Sequence, residues 1–135
     1  MTNKELYLEA KKAMEYAYTP FSHFNVGAAI LTEDGEVFTG CNVENSSLGA
    51  TICAERTAAV KAVSCGNHRF KKIAVVCHDG AVTPCGICRQ FLFEFAPKLK
   101  VVTGDDEDNL KEYTLDQLLL DGFRLQDGVK NIGVD

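Results

Sequence analysis

Lys72-Ile73-Ala74-Val75-Val76-Cys77 is the stretch on which the architecture turns. It is short, apolar without interruption after its first residue, and rich in β-branched side chains, the pattern of a central strand buried on both faces. Helical segments flank it. The first is predicted from about Thr51 to Val63, where Ala54, Ala58, Ala59 and Ala62 form a slim apolar face and Gly66 can end the helix. The second is predicted with Thr83 as N-cap and Pro84 at the first helical position, running to about Phe95 ahead of Ala96-Pro97.

Outward to the N-terminus, two strand-like runs, Asn25 to Leu31 and Glu36 to Asn42, enclose Glu33-Asp34-Gly35, and Asp-Gly between strands signals a hairpin. Before them, Thr2-Asn3-Lys4-Glu5 has capping-box spacing, and Leu6, Ala10, Ala13, Met14 and Ala17 share one helical face that Thr19-Pro20 ends. Outward to the C-terminus come a strand at Lys100 to Thr103, an acidic turn at Gly104 to Asn109, a short strand near Lys111 to Tyr113, and a second capping box, Thr114-Leu115-Asp116-Gln117, opening a short helix through Leu119. Strands and helices alternating in this way predict an α/β fold, a mixed sheet covered by helices on both faces. Residues 1–135 read as one domain, with 126–135 as a loosely held tail.

Composition excludes several function classes. Fourteen basic against 19 acidic residues give a net charge of -5, the wrong sign for a groove that must meet phosphate. The basic residues are scattered, so no nucleic-acid partner is expected. No apolar run is long enough to span a bilayer, and Met1 to Lys12 is polar and helix-like rather than a signal peptide, so a cytoplasmic, reducing setting is expected. There the six cysteines read as metal or core positions rather than disulfides.

Three of those cysteines stand at helix starts. Cys53-Ala54-Glu55-Arg56 opens the first flanking helix, and Cys85-Gly86-Ile87-Cys88-Arg89-Gln90 opens the second. Residues three apart lie on one side of a helix, and a helix N-terminus favours thiolate over thiol. Three protein ligands leave a fourth zinc position open, the mark of a catalytic rather than a structural site. Glu55, two residues from Cys53, faces differently on a helix and suits proton transfer better than ligation. Three thiolates and Zn²⁺ sum to -1, so a cation must offset the sulfur charge. Arg56 and Arg89 both follow the thiols, and Arg56 is favoured for this role beside the metal. Cys41, Cys65 and Cys77 read as small core hydrophobes, and His23, His68 and His78, lacking ligand spacing, as loop or strand-end residues.

With four blocks in order, two of them the thiol motifs themselves, the chain resembles the small homotetrameric zinc-dependent cytidine deaminases over nearly its whole length. The blocks are Pro20 to Ala29, Gly40-Cys41-Asn42-Val43-Glu44-Asn45, Cys53 to Ala58, and Pro84 to Gln90. The resemblance implies a three-layer α/β/α sandwich with a five-stranded mixed sheet. It implies one Zn²⁺ per subunit on Cys53, Cys85 and Cys88, with Glu55 as the catalytic acid and base. It implies substrate contacts from Phe24, which packs on the nucleoside, from Asn42 and Glu44 to the ribose 3′-hydroxyl, and from the Ala54 backbone N–H to the pyrimidine 2-oxo group. Phe123 is implied to enter a neighbouring subunit's site. The implied reaction is hydrolytic deamination of cytidine and deoxycytidine in pyrimidine salvage, with a deaminase of another aminopyrimidine nucleoside, such as an antibiotic, as the alternative. Two positions depart from the family pattern: Leu48 stands where tyrosine is common, and Arg124 to Asp135 differ.

Overall fold

In the computed structural model, which describes residues 1–127, the buried run belongs to β3, Phe70–Cys77. β1 (Val26–Thr32) pairs with it antiparallel on one side and β4 (Lys100–Asp106) pairs parallel on the other. β2 (Val37–Cys41) and β5 (Asn109–Thr114) form the edges, giving the order β2-β1-β3-β4-β5. Parallel neighbours require a crossover, and the chain makes it through α3 (Gly86–Phe93). The mixed sheet with helices on both faces is therefore as expected.

Alternation along the strands divides the apolar residues between two layers. Ala28, Ile30, Ile73 and Val75 cluster with the buried faces of α2 (Ala54–Ser64), α3 and the short α4 (Leu115–Leu118). Ala29, Leu31, Ala74 and Val76 cluster with Leu6, Tyr7 and Ala10 of α1 (Asn3–Ala13) on the opposite face. The alanines of α2 let its backbone approach the sheet closely. A Cβ at Gly40 would stand 2.5 Å from the Ala58 nitrogen and 2.7 Å from the Ala54 oxygen, so only glycine admits α2 at this distance from β2.

Both capping boxes form. At Thr2, Oγ1 accepts from the Glu5 N–H at 3.1 Å and the Thr2 N–H donates to Glu5 Oε1 at 2.9 Å; Thr114 and Gln117 repeat the arrangement at α4. The boundaries differ in informative ways. α1 stops at Ala13 and passes through a 3₁₀ turn at Met14–Tyr16, well before Pro20, because Tyr18 is needed in extended form: its N–H donates to Asn42 O and its carbonyl accepts from Glu44 N–H. Ala17 therefore leaves the predicted helical face. Thr83 does not cap α3; Cys85 is the N-cap, and the Thr83 hydroxyl instead accepts from Arg89 Nη2 at 3.2 Å. α2 likewise begins after Cys53, its N-cap, because Ile52 pairs with Val43 as extended backbone. Cys65, expected in the core, is exposed at the C-cap of α2, where Gly66 adopts φ 85° and turns the chain away. Cys77 is buried and Cys41 half-buried. Of the tail, Leu125–Asp127 forms a 3₁₀ turn, and 128–135 lie outside the described residues.

Candidate active site

Cys53 and Cys85 occupy the same position on two different helices, the N-cap of α2 and of α3. Cys88 follows one turn into α3 and is buried. Because both helices start on the same side of the sheet, the three sulfurs meet: all lie within 4.8 Å of one another, and Cys53 Sγ is 3.7 Å from Cys85 Sγ. A tetrahedron with zinc–sulfur arms of about 2.3 Å has edges of about 3.8 Å, so this donor set fits a zinc ion without rearrangement at that edge.

The charges around the sulfurs are arranged in graded fashion. The Cys88 thiol hydrogen-bonds Cys53 and, against the cost of burial, brings the Cys53 thiol down to about 5; Arg56 assists. The same bond, together with burial, drives Cys88 upward. The shared hydrogen bond thus favours one thiolate within the pair, and a metal bound there would displace the remaining thiol protons. Arg56 Nη2 lies 3.6 Å from Cys53 Sγ and 3.3 Å from the Thr51 carbonyl. Among the described residues its Nε is buried without a hydrogen-bond partner, a cationic donor left over beside the sulfurs. Arg89 is turned away from them. It donates to the carbonyls of Pro84 and Leu118, each at 2.6 Å, and ties the start of α3 to α4.

Glu55 is 4% exposed, and burial pushes its carboxyl up to about 7, with the negative Cys53 adding to the shift. It faces a cavity of about 210 Å³ that Phe24, Asn42, Cys53, Ala54 and Cys85 also line. A larger cavity of about 380 Å³ lies between α1, β2 and α2, but it holds none of these groups, so chemistry rather than size selects the site. The cavity also exposes Val26, Thr51, Val82 and Thr83, none of which was predicted as a site residue. Val82 and Thr83 lie just upstream of the Cys85 block and Thr51 just upstream of Cys53, so proximity to those motifs was the available signal.

The opposite wall is a loop held by side chains. Glu44 Oε1 accepts from the N–H groups of Phe21 and Ser22 at 3.0 and 3.1 Å, and the Ser22 hydroxyl donates to Glu44 Oε2. Ser22 Oγ accepts from Phe24 N–H at 3.0 Å. Asn42 Nδ2 donates to the Phe24 carbonyl at 2.7 Å, while its Oδ1 accepts from Val26 N–H at 2.9 Å. Asn42 and Glu44 therefore both support Phe24. Asn42 keeps an amide hydrogen and a lone pair for a ligand. Glu44 is held in the ionised form by its bonds from Ser22, foremost, and Phe21, but it stands outside the cavity lining. Phe123 is also outside that lining; it is partly exposed, and its carbonyl accepts from Gln90 Nε2 at 2.8 Å.

Residues 1–104 match the family described as the cytidine and deoxycytidylate deaminase zinc-binding region. The cytidine deaminase of Sporosarcina psychrophila is 46% identical over 129 residues, covering 94% of this chain and 95% of that one. A probable cytidine deaminase of Dictyostelium discoideum is 51% identical over 107 residues, covering 78% of this chain and 73% of its own. Among solved structures, the cytidine deaminase of Burkholderia pseudomallei superposes with a TM-score of 0.85 at 46% identity, covering 91% of this chain and all of that one. That of Mycobacterium tuberculosis superposes with a TM-score of 0.81 at 40% identity, covering 93% of this chain and 99% of its own.

Proposed function

The chain belongs to the zinc-dependent cytidine deaminase family, and on that footing we propose how its own residues carry the reaction. The enzyme is a hydrolase that replaces the amino group of cytidine and deoxycytidine with oxygen, yielding uridine or deoxyuridine and ammonia, and its cofactor is zinc. The observation that carries the assignment of roles is a cluster of three thiols, two of which line the same cavity as one buried carboxylate.

Cys53, Cys85 and Cys88 hold one zinc ion per chain, and Arg56 offsets their charge by donating to Cys53. Bound there, zinc supplies Lewis-acid activation of a water near neutral pH. Glu55 takes a proton from the attacking water and passes it to ring N3, which makes C4 electrophilic. Once the water oxygen has bonded to C4, Glu55 takes the remaining proton of that hydroxyl and delivers it to the amino group, so the C4–N bond breaks, ammonia leaves and C4 becomes the carbonyl. Burial raises this carboxyl above the usual range, so it holds a proton more readily than an exposed glutamate, which suits a group that must accept and donate in turn. Ala54 is the first residue of α2, where the backbone N–H has no partner within the helix and is free to hold the 2-oxo group. Phe24 packs on the nucleoside, and Asn42 with Glu44 reaches the 3′-hydroxyl.

The substrate is a small nucleoside. Among the described residues no helix is long and apolar enough to cross a membrane. We place the enzyme in the cytoplasm as a homotetramer of single-domain chains, residues 1–135 each. One sheet with an apolar cluster on either face supports the single domain. Exposed Leu48, Ile87, Leu120 and Phe123 support an assembly in which neighbours complete each pocket, Phe123 entering the adjacent one.

The deciding experiment follows the ultraviolet change as purified protein meets cytidine, with and without a chelator. Turnover that the chelator abolishes and zinc restores is expected. Turnover of an aminopyrimidine antibiotic with none of cytidine would overturn the substrate, and elemental analysis giving two zinc ions or none per chain would overturn the three-thiol assignment.

A further inference from the structure

His78 was read as an ordinary strand-end residue, yet it stands directly behind the ring that faces the substrate cavity. The Phe24 and His78 rings meet edge-on, with centroids 5.0 Å apart and planes at 67°. His78 Nδ1 accepts from the Asn25 N–H at 3.1 Å, and the His78 N–H donates to the Asn25 carbonyl at 3.1 Å. Residue 25 is thus clamped by both the backbone and the side chain of residue 78.

The platform itself is stiff. His78 and Asp79 are the central residues of a tight turn that Cys77 and Gly80 close with reciprocal backbone hydrogen bonds of 3.0 and 2.9 Å. Gly80 adopts φ 106° and lies so close to Asp105 that a Cβ there would stand 2.9 Å from its Cα. Acceptance at Nδ1 puts the ring proton of neutral His78 on Nε2, which faces the Asp79 carboxylate at 3.5 Å. Tautomer, ring plane and turn are all determined together. Phe24 needs such a backstop. His23, beside it, sits at φ 57°, a conformation that non-glycine side chains rarely adopt, so the loop is not held by its own backbone preference.

We propose that His78 is a positioning residue for nucleoside binding, holding Phe24 against the cavity through ring contact and through the Asn25 N–H. This rests on the cytidine-binding role of the cavity. Its effect belongs to substrate binding rather than to chemistry, because His78 touches neither the thiols nor Glu55 and is not part of the cavity lining.

The test compares the zinc-loaded wild type with His78→Ala, His78→Phe and His78→Asn. His78→Phe keeps a ring and removes the acceptor. His78→Asn restores an acceptor near the Nδ1 position and removes the ring. We expect His78→Ala to raise KM for cytidine about fivefold or more, the worth of one lost hydrogen bond, with kcat within twofold and zinc content unchanged. Each single-feature variant should recover part of the KM. An active wild type with KM unmoved in His78→Ala overturns the role of His78 alone. A parallel fall of kcat, zinc content and melting temperature in all three variants overturns it too, because the residue would then be merely structural. A zinc-loaded wild type that does not turn over cytidine removes the functional reading, and the positioning role goes with it.

Discussion

Cys53 and Cys85 face the same cavity as Phe24, with Cys88 buried behind them, but the two sides are held by different means. The thiols sit at two helix starts, and helix geometry alone sets their spacing once α2 and α3 pack on the sheet. Phe24 lies in a loop where the N–H groups of Phe21, Ser22, Phe24, Asn25 and Val26 are taken by the side chains of Glu44, Ser22, His78 and Asn42. The first arrangement concentrates function in few atoms; the second spreads it over many bonds of modest worth. Changes at the thiol side should therefore abolish chemistry, and changes at the loop side should grade binding.

The sharpest break of this contrast is Glu55→Gln. It should retain zinc and lower kcat by at least about 10³-fold, within the range of a general acid and base; wild-type rates by steady-state assay would remove Glu55 from the mechanism. The metal-free protein offers a second measure. Its Glu55 is raised from 4.5 to about 7, so the proton is held more tightly folded than unfolded. The associated stability is fully present below about pH 4.5 and is lost as pH rises through about 7. Relative to Glu55→Gln, the metal-free wild type should lose about 3 kcal/mol across that window by urea denaturation; parallel pH curves for the two proteins would contradict the burial argument.

Arg56→Gln tests whether the charge beside the sulfurs matters. Zinc affinity should drop about 10- to 100-fold in competition with a chelator. An unchanged affinity would make Arg56 an ordinary helix residue. The smallest effect is expected on the loop side. Ser22→Ala removes a donor to Glu44 and the acceptor for Phe24 N–H. KM should rise by the equivalent of about 1 kcal/mol with kcat unchanged. A fall in kcat equal to that of Glu55→Gln would erase the distinction between the two walls.

Much of this was readable along the chain because the signals are local. A capping box needs residues three apart, an Asp-Gly turn needs neighbours, and a C-x-x-C pair at a helix start needs one turn; Thr2 with Glu5, Asp34-Gly35, and Cys85 with Cys88 each carry their own geometry. The sequence also determined which side chains have the chemistry for zinc and proton transfer. Only the tertiary structure decided what those groups meet. That Cys53 lies 3.7 Å from Cys85, that Thr83 serves Arg89 instead of capping α3, that Asn42 and Glu44 spend bonds on the Phe24 loop, and that His78 backs Phe24 all join residues from separate elements. Such contacts depend on how helices and strands pack, through close approaches such as α2 on Gly40, and no pattern of neighbouring residues encodes a distance across the sheet.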